Sequence, residues 1–575
     1  MRFMLQSLSK SIARVMLVLG AFAGAVSAAN VDVRILIDVS GSMRKNDPAN
    51  LRIPAVRLVA ELMPHGAKAG IWMFSETVEP LIVPRTVDAE WKASALKATN
   101  KIHSRGQFTN IEAALVVATQ DWAAAADDDV ERHIILLTDG MVDVSKRTAD
   151  SSASRERILG ETLTRIKGLG VQVHTIALSS NSDRELLTTL AESTEGWAEQ
   201  VENAVSLQRV FLHMFEQAAK PDSIPLLDNR FDVDSSISEM TLLVFRGEAA
   251  EPLQLINPAG DPLDKNSKLA NVRWRAESGY DLVTVASPAT GTWQINTVPD
   301  PDNRVLIVTD LKLELDPLPT NVLAEEILTV SAYMTEHGEP LVREDFLTLL
   351  NAELAVSSVS SKEITVTAIP LDRDQARFIA NRVVDWPVGE YEFVVRVDGG
   401  TFRREQRSRL RVHGAPVIFS AAVSDGGQAL DFSAHAEADL IALESLTGLV
   451  LVTKPDGLNE ILELPSFADG AVNLTTPAPL NGTYRIEPRL LGRSSSGRLL
   501  NIKATPLEVE ITAGVDLPVL DDKPTIEAVE VPPIEWLQSA GIVLIGNVVV
   551  GACLVGVWLQ LGQRRRIRSN EVVLQ

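Results

Sequence analysis

Between residues 30 and 219, short and continuously apolar runs alternate with stretches of helical periodicity, and few folds accept that alternation. Val31-Asp-Val-Arg-Ile-Leu-Ile-Asp38 becomes apolar toward its end, as does His133-Ile-Ile-Leu-Leu-Thr-Asp139. Residues 70–75 and 171–178 read the same way, with 81–83 as a short edge partner. Runs of this kind suit strands buried on both faces. Helices are predicted over about 48–63, 88–102, 110–125, 155–167, 183–194 and 204–218. Ile53, Val56, Leu58, Val59 and Leu62 supply the apolar face of the first. Strands joined by helical crossovers predict a doubly wound, Rossmann-like α/β sheet with helices on both faces. In such a sheet, ligands bind beyond the carboxyl ends of the strands.

Three loops can converge there. The first strand runs into Asp38-Val-Ser40-Gly-Ser42, a later one into Thr138-Asp139-Gly140, and Gly106-Gln-Phe-Thr109-Asn110 leads into a helix. Two carboxylates and three hydroxyls form an oxygen-only donor set, which suits a hard divalent cation such as Mg²⁺. The Asp-x-Ser-x-Ser alternation lets one tight turn aim its side chains at one point, with Gly41 relieving crowding. A bland alternative exists, because Asp and Ser after a strand also make turns and helix caps. Asp143 reads either as an outer carboxylate or as a solvated loop residue. His133 and His174 read as core histidines, and the Asp127-Asp128-Asp129 run as a solvated loop.

Asp38-x-Ser40-x-Ser42, Thr109 and Thr138-Asp139-Gly140 resemble the metal-ion-dependent adhesion site of the von Willebrand factor A family, over residues 30–219. The resemblance implies that Ser40, Ser42 and Thr109 ligate a metal through their hydroxyls. It implies that Asp38 and Asp139 act directly or through water. One position would stay open for an acidic side chain of a partner protein. Mg²⁺ is the expected ion, with Ca²⁺ or Mn²⁺ as alternatives.

Helical periodicity stops near Lys220-Pro221, and short alternating stretches divided by turn signals take over. One motif recurs as Gly291-Thr-Trp293-Gln-Ile295, Gly389-Glu-Tyr391-Glu-Phe393 and Gly482-Thr-Tyr484-Arg-Ile486, each with a Pro shortly before it (Pro288, Pro387, Pro479). The spacing approaches the ~100 residues of an immunoglobulin-like sandwich. Three all-β sandwiches are therefore expected, over 220–310, 311–413 and 414–514. This order resembles chloride-channel-regulator-like and hemicentin-like proteins, and bacterial membrane-anchored envelope proteins of undefined role. No His-Glu-x-x-His occurs, so the protease activity of the first group is not implied.

Both ends suggest a compartment. Residues 1–28 read as a signal peptide, with Arg2, Lys10 and Arg14, an apolar stretch over 15–26 and a cleavage point after Ala28. An uncleaved anchor is the alternative. Residues 515–535 read as a Pro- and acid-containing stalk linker. Residues 536–561 read as a transmembrane helix, because the stretch 539–561 carries no charge and Trp536 and Trp558 flank it. The basic tail 562–575, with Arg564, Arg565, Arg566 and Arg568, is expected in the cytoplasm and the large domains in the periplasm or outside. A cleavable sorting signal is a further reading of the same end. The single cysteine, Cys553, falls within the span, so the exported part is expected to fold without disulfides. A net charge of −22 argues against a nucleic-acid partner.

No nucleophile elbow, zinc-spaced ligand set or phosphate loop accompanies these features, and a non-enzyme is expected. The expected function is metal-dependent protein binding, in adhesion or envelope assembly, on a membrane-anchored protein. A structural scaffold whose metal only stiffens loops is the alternative.

Overall fold

A computed structural model of the chain describes residues 31–122, 130–202, 206–247, 252–359, 367–424, 427–437, 440–467 and 469–512. The signal segment, the stalk linker, the span 536–561, the tail and the acidic run 127–129 lie outside these residues. Among the described residues no helix is long and apolar enough to cross a membrane.

The N-terminal part is α/β. Its elements are β1 (Val31–Asp38), the single turn α1 (Met43–Asn46), α2 (Arg52–Leu62), β2 (Lys68–Phe74), β3 (Val78–Thr86), α3 (Ala89–Ala98) and α4 (Ile111–Ala118). They continue as β4 (Glu131–Thr138), α5 (Thr148–Arg157), α6 (Leu163–Gly168), β5 (Val171–Ala177), α7 (Arg184–Glu192), β6 (Ala198–Gln200) and α8 (Leu207–Ala219). The sheet runs β3-β2-β1-β4-β5-β6, with β3 antiparallel at one edge and the rest parallel. Along β1, Val33, Ile35 and Ile37 face one layer with α2 and α8. Leu36 faces the other, with Ile111, Leu115 and Ile166 from α4 and α6. Burial on both faces is why β1 reads as apolar without clean alternation.

Three elements differ from the sequence expectation. Helix α5 starts at Thr148, earlier than expected, because of its residues only Ser154 is buried and no apolar stripe marks it. A π turn over Ile158–Thr162 then joins it to α6. Helix α4 ends at Ala118, short of 125, where Thr119 turns its hydroxyl back to the Leu115 carbonyl at 2.7 Å. Edge strand β6 has only three residues, too few for a periodicity signal.

From Ser223 onward the described chain is β apart from single helical turns at Glu344–Leu347 and Leu443–Ser445, with three apolar cores drawn from residues 224–307, 313–412 and 417–511, the last joined by Leu323. The recurring Gly-aromatic motif opens a strand in each, at Gly291–Asn296, Gly389–Asp398 and Gly482–Arg493. Trp293, Tyr391 and Tyr484 are buried, and each polar tip bonds back four residues. Trp293 Nε1 donates to the Ala289 carbonyl at 2.8 Å and Tyr391 Oη to that of Pro387 at 2.8 Å, while Tyr484 Oη accepts from the Leu480 amide at 3.0 Å. A buried aromatic with a polar tip needs such a partner. Gly291 and Gly482 take φ of +123° and +128°, and a Cβ there would stand 3.0 Å and 2.9 Å from Pro258 and Pro455. Glycine is therefore required both for conformation and for space.

The first two cores do not sit apart. Ser223 pairs with Leu306 on one side and Glu405 on the other, so one sheet runs from Val272–Glu277 through to Thr367–Pro370. A two-residue strand fills the gap where each unit would otherwise leave an open edge. Nor is the α/β domain held out at the end of a β stalk, as the linear domain order suggests. It lies against all three β units. Tyr280 Oη donates to the Pro54 carbonyl at 3.0 Å, and buried Arg304 pairs with Glu216 of α8 at 2.6 Å. Gln217 Nε2 donates to the Arg409 carbonyl at 2.7 Å. Arg411 donates to the Ala198 carbonyl at 2.8 Å, and Glu195 accepts from Ser496 of the third unit. Leu243, Phe245, Tyr280 and Leu282 complete the same core as α2 and α8.

Candidate metal centre

The strand order reverses between β1 and β4, and the loops leaving those two strands define the site. Asp38 ends β1 and is wholly buried. Its Oδ1 accepts the Ser40 amide at 2.7 Å, and its Oδ2 accepts the Thr138 hydroxyl at 2.6 Å. The Ser40 and Ser42 hydroxyls stand 2.9 Å apart, and that of Ser42 donates to Asp139 Oδ1 at 2.7 Å. Asp139 Oδ2 accepts from Asn46 Nδ2 at 2.9 Å. The structure thus brings Asp38, Ser40, Ser42 and Asp139 into one bonded cluster.

Thr109 joins it from the third loop. The amides of Arg105 and Gly106 donate to the Val39 carbonyl at 3.1 and 3.0 Å, which ties that loop to the β1 turn. A Cβ on Gly41 would lie 3.2 Å from the Gly106 carbonyl oxygen, and one on Gly106 would overlap the Ser75 Cβ at 2.2 Å. Thr109 and Asp143 exchange backbone hydrogen bonds at 2.7 and 3.0 Å. A Cβ placed on Gly140 would meet the Thr109 hydroxyl at 3.4 Å, so Thr109 lies directly beside the Asp139 turn without bonding the other four side chains.

Burial drives the electrostatics. It pushes the Asp38 carboxyl up to about 6, reinforced by the charge of Asp139 and opposed by the bonds from Thr138 and Ser40. Burial also raises Asp139, against the bonds from Ser42 and Asn46 and the charge of Arg52. Two buried like charges without a cation between them are unfavourable. Five convergent oxygen side chains with this charge excess fit a hard divalent ion. Among the described residues no group of three or more His, Cys, Asp or Glu could hold a metal.

Sequence reasoning missed three supports. Asn46 is one helical turn beyond Ser42, a spacing that could have flagged it. Ser179 donates to the Asp139 carbonyl at 2.8 Å from a loop with no marking signal. Arg52 carries no sequence signal that sets it apart from other helical arginines, yet it is buried. Its guanidinium donates to the Asp38 carbonyl at 2.6 Å, to Asp47 at 2.7 Å, to Asn50 at 2.6 Å and to Ser104 at 2.7 Å. The Asp143 carboxylate is exposed and, among the described residues, accepts only from Ser151 at 3.4 Å. His133 and His174 form a stacked, buried pair with ring nitrogens 3.1 Å apart, and the Trp197 amide donates to His174. Burial lowers the pKa of both rings, that of His174 well below the usual imidazole range, while Glu131 opposes the shift at His133.

Fold and site together define a doubly wound α/β domain with an oxygen-lined cluster at its switch point. Residues 32–212 match the family described as the von Willebrand factor type A domain, so the chain carries such a domain ahead of a large all-β region. No curated protein matches the chain. Among solved structures, it is similar to a von Willebrand factor type A protein from Catenulispora acidiphila, at 14% identity and TM-score 0.28, covering 61% of this chain and 66% of that one. It is similar to proximal thread matrix protein 1 from the mussel byssus with a zinc-occupied MIDAS motif, at 17% identity and TM-score 0.27, covering 34% and 50%. It is also similar to the vWF domain of the type V pili tip protein Mfa5 from Porphyromonas gingivalis, at 14% identity and TM-score 0.27, covering 33% and 95%. The chain thus spans half to just under two thirds of the first two.

Proposed function

We propose that the protein binds a divalent cation through Asp38, Ser40, Ser42, Thr109 and Asp139, and uses it to hold a carboxylate of another protein. The observation that carries this reading is the pair of buried carboxylates, Asp38 and Asp139, converging with three hydroxyls where the strand order reverses. The ion is Mg²⁺ on ligand hardness, with Mn²⁺ or Ca²⁺ able to replace it. When bound, the ion supplies a concentrated positive charge with a coordination position open to a partner. The chain orients the hydroxyls through the Ser40–Ser42–Asp139 bonds and holds the turn through Arg52. The protein is a binding protein rather than an enzyme, and acts as an exported adhesion or envelope-assembly component. It is anchored in the bacterial inner membrane by residues 536–561.

The test is titration of Mn²⁺ into the full chain in detergent, followed by paramagnetic resonance. Wild type should bind one ion, and Ser42→Ala and Asp139→Ala should bind at least ~10-fold more weakly. Equal binding in all three overturns the reading. A scaffold role is favoured by one observation, the fastening of the α/β domain to all three β units. A large drop in melting temperature on chelation, with partner crosslinks retained, would select that role instead.

A further inference from the structure

The rim of the cluster reverses the sign of the protein. Lys45 lies one residue past Arg44 on α1, directly after the Ser42 turn. Arg105 sits on the loop whose amide bonds Val39. Lys146 follows Asp143, the backbone partner of Thr109, and Arg184 opens α7 next to Asp183, whose amide lies 3.5 Å from the Gly140 carbonyl. All four are exposed, and none has an ion-pair partner among the described residues. Arg44 spends its guanidinium on a neutral acceptor, the Ser104 carbonyl, at 3.0 Å. The carboxylates on this rim are fewer. Asp150 pairs with Arg147, and Asp183 and Glu185 share Arg155, while Glu76 and Asp143 keep their charge, accepting from the neutral Gln107 amide and Ser151 hydroxyl. None of these loops makes a hydrogen bond or ion pair to the β units among the described residues.

On a chain of net charge −22, exposed cations gathered from four segments around one site repel one another. With a divalent ion balanced by Asp38 and Asp139, they would remain unneutralised. We propose that this rim selects an acidic protein segment, in which the metal-bound carboxylate is flanked by further Asp or Glu side chains received by Lys45, Arg105, Lys146 and Arg184. The proposal rests on the cation-binding reading above and adds the chemistry of the partner. The four cations steer the segment and set its register, and the ion holds it.

The probe is a fluorescein-labelled deca-glutamate, read by polarisation against the full chain, with Mn²⁺ binding measured separately. Wild type should bind it in Mg²⁺ and lose it in EDTA. Each of Lys45→Glu, Arg105→Glu, Lys146→Glu and Arg184→Glu should weaken it about 2- to 10-fold, and all four together by more, with Mn²⁺ binding retained. The corresponding Gln variants give half-steps should a reversal fail to fold. No binding by wild type, affinity indifferent to reversal, or equal binding in EDTA each overturns the proposal. So does equal affinity for a single-stranded oligonucleotide of the same charge. If wild type binds no Mn²⁺ at all, the underlying cation reading fails instead, and the separate titration shows it.

Discussion

Replacing Arg52 with Met separates the support of the site from the site itself. The guanidinium is fully buried and satisfies Asp47, Asn50, Ser104 and the Asp38 carbonyl at once. Met keeps the aliphatic stem and removes every guanidinium bond. Asp47 would then remain buried, with only the Leu51 and Arg52 amides at 2.7 and 3.2 Å as donors. Breaking a buried pair costs about 3–5 kcal/mol, and the two remaining amides place this case near ~3. For a cooperative unit of this size that corresponds to a fall of roughly 6–12 °C in Tm. Differential scanning calorimetry of the chelated protein reads it. The Asp47→Asn, Arg52→Met double variant removes both charges and should regain most of the loss. Cation affinity should stay about 10-fold down in both variants, because the Asp38 carbonyl and Ser104 have lost their tie. A single variant melting within about a degree of wild type, or a double variant no better than the single, would refute the reasoning.

Asp139→Asn should abolish Mn²⁺ binding yet raise the Tm of the chelated protein, since burial disfavours its charge beside Asp38; a lower Tm counts against this. Asp222 is pushed up to about 6 by burial, with the charge of Lys312 opposing. A carboxyl raised in the folded state binds more protons there than in the unfolded chain. Its contribution to stability therefore declines as pH rises from about 4 to about 6. Asp222→Asn should accordingly stabilise by ~2 kcal/mol at pH 7 and be neutral at pH 4, checked by urea melts at both. Arg304→Met leaves Glu216 buried without its partner and should cost ~3–5 kcal/mol, with new proteolytic cleavage near residues 220–222.

The strands that carry the site are legible because burial on both faces writes an uninterrupted apolar run, as in β1 and β4. Asp38, Ser40, Ser42 and Asp139, which the structure brings together, stand out in the sequence because turn chemistry at the ends of β1 and β4 is local; Thr109 lies in the loop before α4. What is not legible depends on partners far along the chain. Arg52 looks like any helical arginine until Asp47 and Ser104 close around it. Helix α5 has no apolar stripe, and β6 is too short for a period. The motif at Gly291, Gly389 and Gly482 marks strand entries, but the prolines that crowd Gly291 and Gly482 are Pro258 and Pro455, from neighbouring turns rather than the ones just upstream. The sheet shared across two β units hangs on Ser223, a single residue with no compositional signature.

Only residues 220–222 separate α8 from that shared strand. So little slack means a load applied at the Asp38–Asp139 rim would pass straight into a sheet gripped from both sides, without a swivel to absorb it. A partner held there, as proposed, would thereby take a definite heading relative to the β units, and a tug on one would be felt by the other.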